Sequence, residues 1–212
     1  MNKIIKTGFD KLDNLLNEGI KPKSFNLICA KSGVGKTTLA LNIINSNINN
    51  KSIAYFNYEL SKGMFFEKMH KLFNIDYSNK NVLVYEYDDD KTVDDILKKC
   101  IQLKQSNIGL DLVIIDFIEL IKCDYNVVCK KDFYSCILNK LFLLVKEYNI
   151  TIIAISLLCK TDNELAIRDF LDENTLNNLD NLFYLFNKDN KVYVEVFNNV
   201  SDLPVKVSIE LF

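Results

Sequence analysis

The chain has 212 residues, about half of them apolar and a quarter charged, with a formal net charge of −2 at pH 7. That length fits one domain, residues 1–212, with a sizeable core, and the near-neutral charge excludes any overall attraction to nucleic acid or an anionic membrane. No apolar run approaches a membrane span and the opening M-N-K-I-I-K-T-G lacks a secretory signal's apolar stretch, so the expected setting is the cytoplasm, with no membrane partner.

In chain order, a short helix is expected over Phe9–Leu16, with Leu12, Leu15 and Leu16 on one face and Gly19 ending it. Phe25–Cys29 reads as a buried parallel strand. The residues after it, Ala30-Lys31-Ser32-Gly33-Val34-Gly35-Lys36-Thr37-Thr38, lead into a helix with apolar residues at Leu39, Ala40, Ile43 and Ile44. A strand at Ser52–Asn57, a helix over Lys62–Phe73 and a strand at Val82–Tyr85 follow. The acidic run Asp88-Asp89-Asp90 reads as a solvated loop. Thr92 caps a helix whose Val93, Ile96, Leu97, Cys100 and Ile101 form one stripe. The strand Leu112–Ile115 ends at Asp116. After a polar stretch from Lys122 to Asp132, Phe133, Ile137, Leu138, Leu141, Leu144, Val145 and Tyr148 mark a strong helix, and Ile150–Ser156 a central strand. Leu182–Phe186 and Val192–Phe197 flank Lys188-Asp189-Asn190 as a hairpin, and Val205–Leu211 is a last strand. Alternating strands and helices imply an α/β fold, a mainly parallel sheet flanked by helices and finished by antiparallel strands.

The turn between the first strand and its helix directs backbone N–H groups into one concavity. The positive end of the helix faces the same point, so a nucleoside triphosphate is expected there. Lys36 can reach the β- and γ-phosphates, and the Thr37 hydroxyl can ligate Mg²⁺. Hydrolysis also needs carboxylates, one to fix the Mg²⁺ and another to orient the attacking water. Asp116, at the end of an apolar strand, stands where the first is expected; Glu59, just past the strand that ends at Asn57, is a candidate for the second.

The six cysteines form no C-x-x-C pair. Cys29, Cys100 and Cys159 fall on apolar faces, which favours buried, reduced thiols over disulfides. The wider set Cys123, Cys129 and Cys136 lacks the tight pairs of a zinc site. One histidine, His70, rules out histidine triads and multi-histidine metal sites.

Five segments together resemble the RecA-like ATPase domain of DnaB-type replicative DNA helicases. They are T-G-F-D-K-L-D at Thr7–Asp13, A-K-S-G-V-G-K-T at Ala30–Thr37, Y-F-N-Y-E-L-S at Tyr55–Ser61, V-I-I-D-F-I-E-L at Val113–Leu120 and I-A-I-S-L-L at Ile153–Leu158. Their order and spacing match the family across nearly the whole chain. The resemblance implies a RecA-like P-loop NTPase that uses ATP and Mg²⁺, with Lys36 and Thr37 on phosphate and metal, Glu59 as the catalytic carboxylate and Asp116 as the second metal-associated acid. Partners implied are single-stranded DNA, further copies in a hexameric ring, or a replication protein. The channel loops would carry Lys122, Lys130 and Lys131 in the first and Lys160 and Arg168 in the second. The family's N-terminal helical domain and linker, which help assemble the hexamer and recruit primase, are expected to be lacking.

Departures from the family pattern are specific. Leu157 stands where a Gln senses the γ-phosphate, and Val196 and Asn198 stand where a Lys-x-Arg pair reaches the neighbouring subunit's ATP. Arg168, Lys188 and Lys191 are alternative cations. Three readings follow: a minimal helicase-type ATPase in DNA replication or unwinding; a hydrolysis-deficient ATP-binding assembly partner or regulator; and a RadA-like or clock-protein-like switch ATPase. The opening T-G-F motif is shared with the last group, whereas the E-L-S and D-F-I-E-L segments favour the helicase branch.

Overall fold

A computed structural model describes residues 4–74, 77, 81–86, 92–123, 129–157, 171–198 and 207–210. The strands are β1 (Phe25–Cys29), β2 (Ile53–Asn57), β3 (Val82–Glu86), β4 (Leu112–Asp116), β5 (Thr151–Ser156), β6 (Asn181–Lys188), β7 (Lys191–Asn198) and β8 (Val207–Glu210). The helices are α1 (Asp10–Leu15), α2 (Lys36–Asn47), α3 (Lys62–Phe73), α4 (Val93–Gln105), α5 (Lys130–Tyr148) and α6 (Glu173–Asn177), with a 3₁₀ turn at Ile118–Leu120.

These strands form one sheet in the order β3-β2-β4-β5-β1-β6-β7-β8, parallel from β3 to β6 and antiparallel thereafter. The apolar runs of β1, β2, β4 and β5 follow from cover on both faces. Phe25, Leu27, Ala54, Phe56, Val113, Ile115, Ile152 and Ala154 face one core with α4 and α5. Ile28, Ile53, Tyr55, Leu112, Ile114, Ile153 and Ile155 face the other with α1, α2 and α3. Side chains on a strand alternate between its two faces, so each strand feeds both cores.

The expected elements recur with local corrections. Gly19 does not end α1, which stops at Leu15 with Leu16 as its cap. Its place is a close approach instead: a Cβ there would lie 2.6 Å from the Ile5 carbonyl oxygen, beside the Ile5–Ile20 bridge. Helix α5 starts at Lys130, inside the stretch expected to be polar loop. Helix α6 was not expected; Asp172 caps it, its carboxylate accepting from the Thr175 N–H at 2.7 Å. The hairpin turn narrows to Asp189-Asn190, both at positive φ (51° and 59°), the two-residue form that matches strand twist. Asp88–Asp90 and Cys159 lie outside the described residues. Cys29 and Cys100 are buried, and burial pushes the Cys100 thiol up to about 12.

Thr92 and Asp95 close a reciprocal cap on α4: the Thr92 hydroxyl accepts from the Asp95 N–H and donates to the Asp95 carboxylate, which also accepts from the Thr92 N–H. Thr92→Ala should lower the unfolding free energy by about 1 kcal/mol in urea titrations, without changing the slope.

Candidate nucleotide site

Parallel strands present their carboxyl ends to one edge of a sheet, so the segments after β1, β2, β4 and β5 converge there. The register aligns them: Cys29 opposes Ser156, Asn57 opposes Asp116, and Asp116 opposes Ile155. The phosphate loop leaves β1 at Ala30 and enters α2 through Gly35, whose φ of 116° strains any residue with a Cβ. The first turn of α2 therefore opens N–H donors towards the edge, together with the positive end of a twelve-residue helix.

Ser32, Gly33, Gly35, Lys36, Thr37 and Thr38 line a cavity of about 250 Å³, with Glu59, Lys68, Phe117 and Leu157 completing its wall. The other loop residues serve it indirectly. Ala30 and Lys31 give their carbonyls to the Lys36 ammonium, each at 2.9 Å, and Val34 is buried against the core of α1–α3.

Behind Thr37 lies Asp116, 1% exposed. Its Oδ2 accepts from the Thr37 hydroxyl at 2.9 Å and from the Tyr55 hydroxyl at 2.8 Å. Its Oδ1 is buried and has no hydrogen-bond partner among the described residues. A carboxylate with one oxygen bound to the Thr37 hydroxyl and the other unspent fits a hydrated divalent cation. Burial raises the Asp116 pKa; the Tyr55 and Thr37 hydroxyls lower it, Glu59 adds a rise and Lys36 a fall. Burial likewise raises Tyr55 well above the ordinary phenol value, so its proton stays in place to donate.

Asn57 positions Glu59. The Asn57 carboxamide accepts from the N–H groups of Glu59 (3.2 Å) and Leu60 (3.0 Å) and donates to the Leu60 carbonyl (2.8 Å). This local turn projects the Glu59 side chain into solvent at the cavity wall. The Tyr58 N–H donates to the Asp116 carbonyl at 2.8 Å, tying the turn to the end of β4.

Sequence reasoning missed a further node, Glu119. Its Oε1 accepts from the Ser156 hydroxyl, the Leu157 N–H (2.8 Å) and the Tyr134 hydroxyl (3.1 Å). One carboxylate thus joins the 3₁₀ turn after β4, the end of β5 and helix α5. Asn57, Tyr55 and Glu119 all sit inside the recognised segments; the partners of Asn57 are local, whereas those of Tyr55 and Glu119 come from strand register, which the motifs do not display.

Of the candidate DNA contacts, Lys122 and Lys131 do not line this cavity among the described residues. Lys122 is exposed, and its carbonyl accepts from the Val93 N–H at 3.3 Å. Lys131 lies within electrostatic reach of Asp172. The Lys130 side chain, Lys160 and Arg168 lie outside the described residues. Of the alternative cations, Lys191 pairs with Glu210 at 2.9 Å and Lys188 is exposed on the same hairpin.

The family model described as "DnaB-like helicase C terminal domain" matches residues 4–73 and 67–166. The chain belongs to this family. It is 27% identical over 187 residues to the replicative DNA helicase DnaB of Leifsonia xyli subsp. xyli (strain CTCB07), an overlap covering 76% of this chain and 40% of that protein. For DnaB of Geobacillus stearothermophilus the figures are 28% over 183 residues, 74% and 40%. The DNA repair protein RadA of Aquifex aeolicus (strain VF5) is 33% identical over 107 residues, 50% of this chain and 23% of RadA. The chain therefore spans about 40% of the length of the DnaB relatives it matches. In fold it resembles a solved ATPase domain, with a TM-score of 0.79 and 21% identity over 96% of this chain and 86% of that one. It also resembles a DnaB-like replicative helicase solved in a study of its interactions with primase, with a TM-score of 0.77 and 20% identity over 98% and 61%. The RecA-like expectation for this DnaB-like domain holds.

Because its folded pKa is raised above the 3.8 of a free carboxyl, Asp116 binds its proton more tightly when folded. Its contribution to stability is fully present below 3.8 and is lost as pH rises through the folded value. In buffer free of divalent ions, Asp116→Asn should therefore gain stability relative to the parent chain across that window and keep the gain at neutral pH, read from urea midpoints against pH.

Proposed function

We propose that this DnaB-like domain binds ATP with Mg²⁺ and hydrolyses it to drive an assembly acting on single-stranded DNA in replication or unwinding. The observation that supports this most is the convergence of Lys36, Thr37 and Glu59 on one cavity, with Asp116 bonded directly behind Thr37. The loop amides and the α2 N-terminus would hold the phosphates, and the Lys36 ammonium would exchange its two carbonyl partners for β- and γ-phosphate oxygens. Thr37 and Asp116 would hold Mg²⁺, which when bound offsets phosphate charge. Glu59 would orient a water on the γ-phosphorus and take its proton. As the new P–O bond forms, the β–γ bridging bond breaks and ADP leaves with the bond's electron pair.

The relatives named DnaB support replication as the setting and further copies of the chain or a replication protein as partners. Work in the cytoplasm is part of the same proposal; among the described residues no helix is long and apolar enough to cross a membrane. A second reading, an ATP-binding assembly partner with weak turnover, is favoured by two positions. Leu157 lines the cavity with a side chain that can neither donate nor accept, and Val196 is 2% exposed, packed inward on β7. The RadA-like switch is favoured less, because the RadA match covers 50% of the chain against 76% for DnaB.

Purified chain should turn over ATP with Mg²⁺, faster with single-stranded DNA. Lys36→Ala should abolish nucleotide binding by calorimetry. Glu59→Gln should retain ATP binding while turnover falls about 10²–10⁴-fold. Tight ATP binding without turnover, with DNA or without, would establish the second reading instead.

A further inference from the structure

We infer that Cys123 and Cys136 form a paired modification site, two thiols that close a reversible intrachain disulfide when the folded chain meets a peroxide. The inference goes beyond the nucleotide reading and does not depend on it. Cysteines whose spacing shows no pairing in the sequence are made neighbours by the fold: the Cys136 thiol is hydrogen-bonded to Cys123. Among the described residues no three His, Cys, Asp or Glu side chains gather to hold a metal, so the pair is read as thiol chemistry.

One end of one helix sets both sulfurs. The N-terminus of α4 holds the Cys123 side: Thr92 bridges to Lys122, whose carbonyl accepts from the Val93 N–H at 3.3 Å. The same end holds the Cys136 side. Asp94, in the first turn of α4, pairs at 2.6 Å with Lys140, which stands one helical turn beyond Cys136 on α5. Both thiols are half-buried, which admits a small oxidant, whereas Cys29 and Cys100 are fully buried. Sulfurs already in hydrogen-bond contact need to close only to about 2 Å, a change within reach of side-chain torsions.

The two thiols have different parts. Burial, then the hydrogen bond and charge of Cys123, push the Cys136 thiol up to about 11; Lys140 pulls against this and Asp94 adds to it. Cys136 therefore keeps its proton, and Cys123 is the sulfur that attacks the oxidant. The Cys123 sulfur bonds to one peroxide oxygen as the O–O bond breaks, giving a sulfenic acid and, with the thiol proton, one water. The Cys136 sulfur then bonds to the Cys123 sulfur, the S–OH bond breaks, and the Cys136 proton leaves with the hydroxyl as a second water. The two sulfurs give up two electrons and the peroxide takes them. A small thiol reverses the step by exchange and is itself oxidised to a disulfide, so the bond is transient in a reducing compartment. While it lasts it closes positions 123–136 into a covalent ring that includes the start of α5.

The test maps the linkage in the full chain. Reduced protein is treated with hydrogen peroxide at neutral pH, remaining thiols are alkylated in denaturant, and the digest is read by mass spectrometry with and without dithiothreitol. The expected result is loss of two of the six thiols per chain, with a peptide pair joining Cys123 to Cys136 that dithiothreitol separates. Cys129→Ser should leave that linkage unchanged. Cys136→Ser should abolish it and leave a sulfenic acid at Cys123, trapped by dimedone. The same oxidation in concentrated urea should scatter the pairing, because the fold makes the selection. No bond in the folded chain, a bond between chains, or pairing to Cys129 instead overturns the inference. The deciding measurement is on the unsubstituted chain, so a variant that unfolds does not blur it.

Discussion

A single buried carboxylate holds three pieces of backbone together at the edge of the sheet. Asp116 ends β4, accepts from Thr37 at the start of α2 and from Tyr55 within β2, and keeps one oxygen in reserve. Charge in such a place is costly unless hydrogen bonds and a cation compensate it. The two hydroxyls supply part of that compensation permanently, and a divalent ion would supply the rest on arrival. In the proposed reading the site is completed by its ligand, and the place of β1, β2 and β4 within one parallel sheet brings the three segments together.

Much of this was legible before any coordinates. Strand–loop–helix spacing located the phosphate loop, and the apolar run that ends at Asp116 located the carboxylate, because parallel strands deliver their ends to one edge whatever their order. The same reasoning placed Glu59 at the cavity but could not say what aims it. The Asn57 carboxamide does so through two N–H bonds, a role that resembles many ordinary turn asparagines in sequence. Tyr55 and Glu119 were hidden for a different reason: their partners lie 61 and 37 positions away, set by register rather than by local pattern. Helix α6 was missed because five residues cannot display a helical period, although Asp172 three places before Thr175 was a legible cap. Gly19 misled because a glycine after a helix usually relaxes the chain, whereas here it admits the Ile5 carbonyl.

The two positions expected from the resemblance to depart from the family pattern differ in their surroundings. Leu157 and Val196 are aliphatic where the resemblance leads one to expect a polar or charged group, yet the structure treats them differently. Val196 is absorbed into the core, where a long charged side chain could not lie without disrupting β7. Leu157 stays 38% exposed at the cavity, an apolar surface facing the place where charge is handled. Its backbone, however, remains tethered through Glu119, so the strand end is held firm even though its side chain carries no signal.

That tether has a mechanical meaning. Tyr134 belongs to the second turn of α5, and its hydroxyl and the Leu157 amide share one carboxylate oxygen. Through that one atom the front of a long helix is bonded to a residue on the cavity wall, although the two lie far apart along the chain.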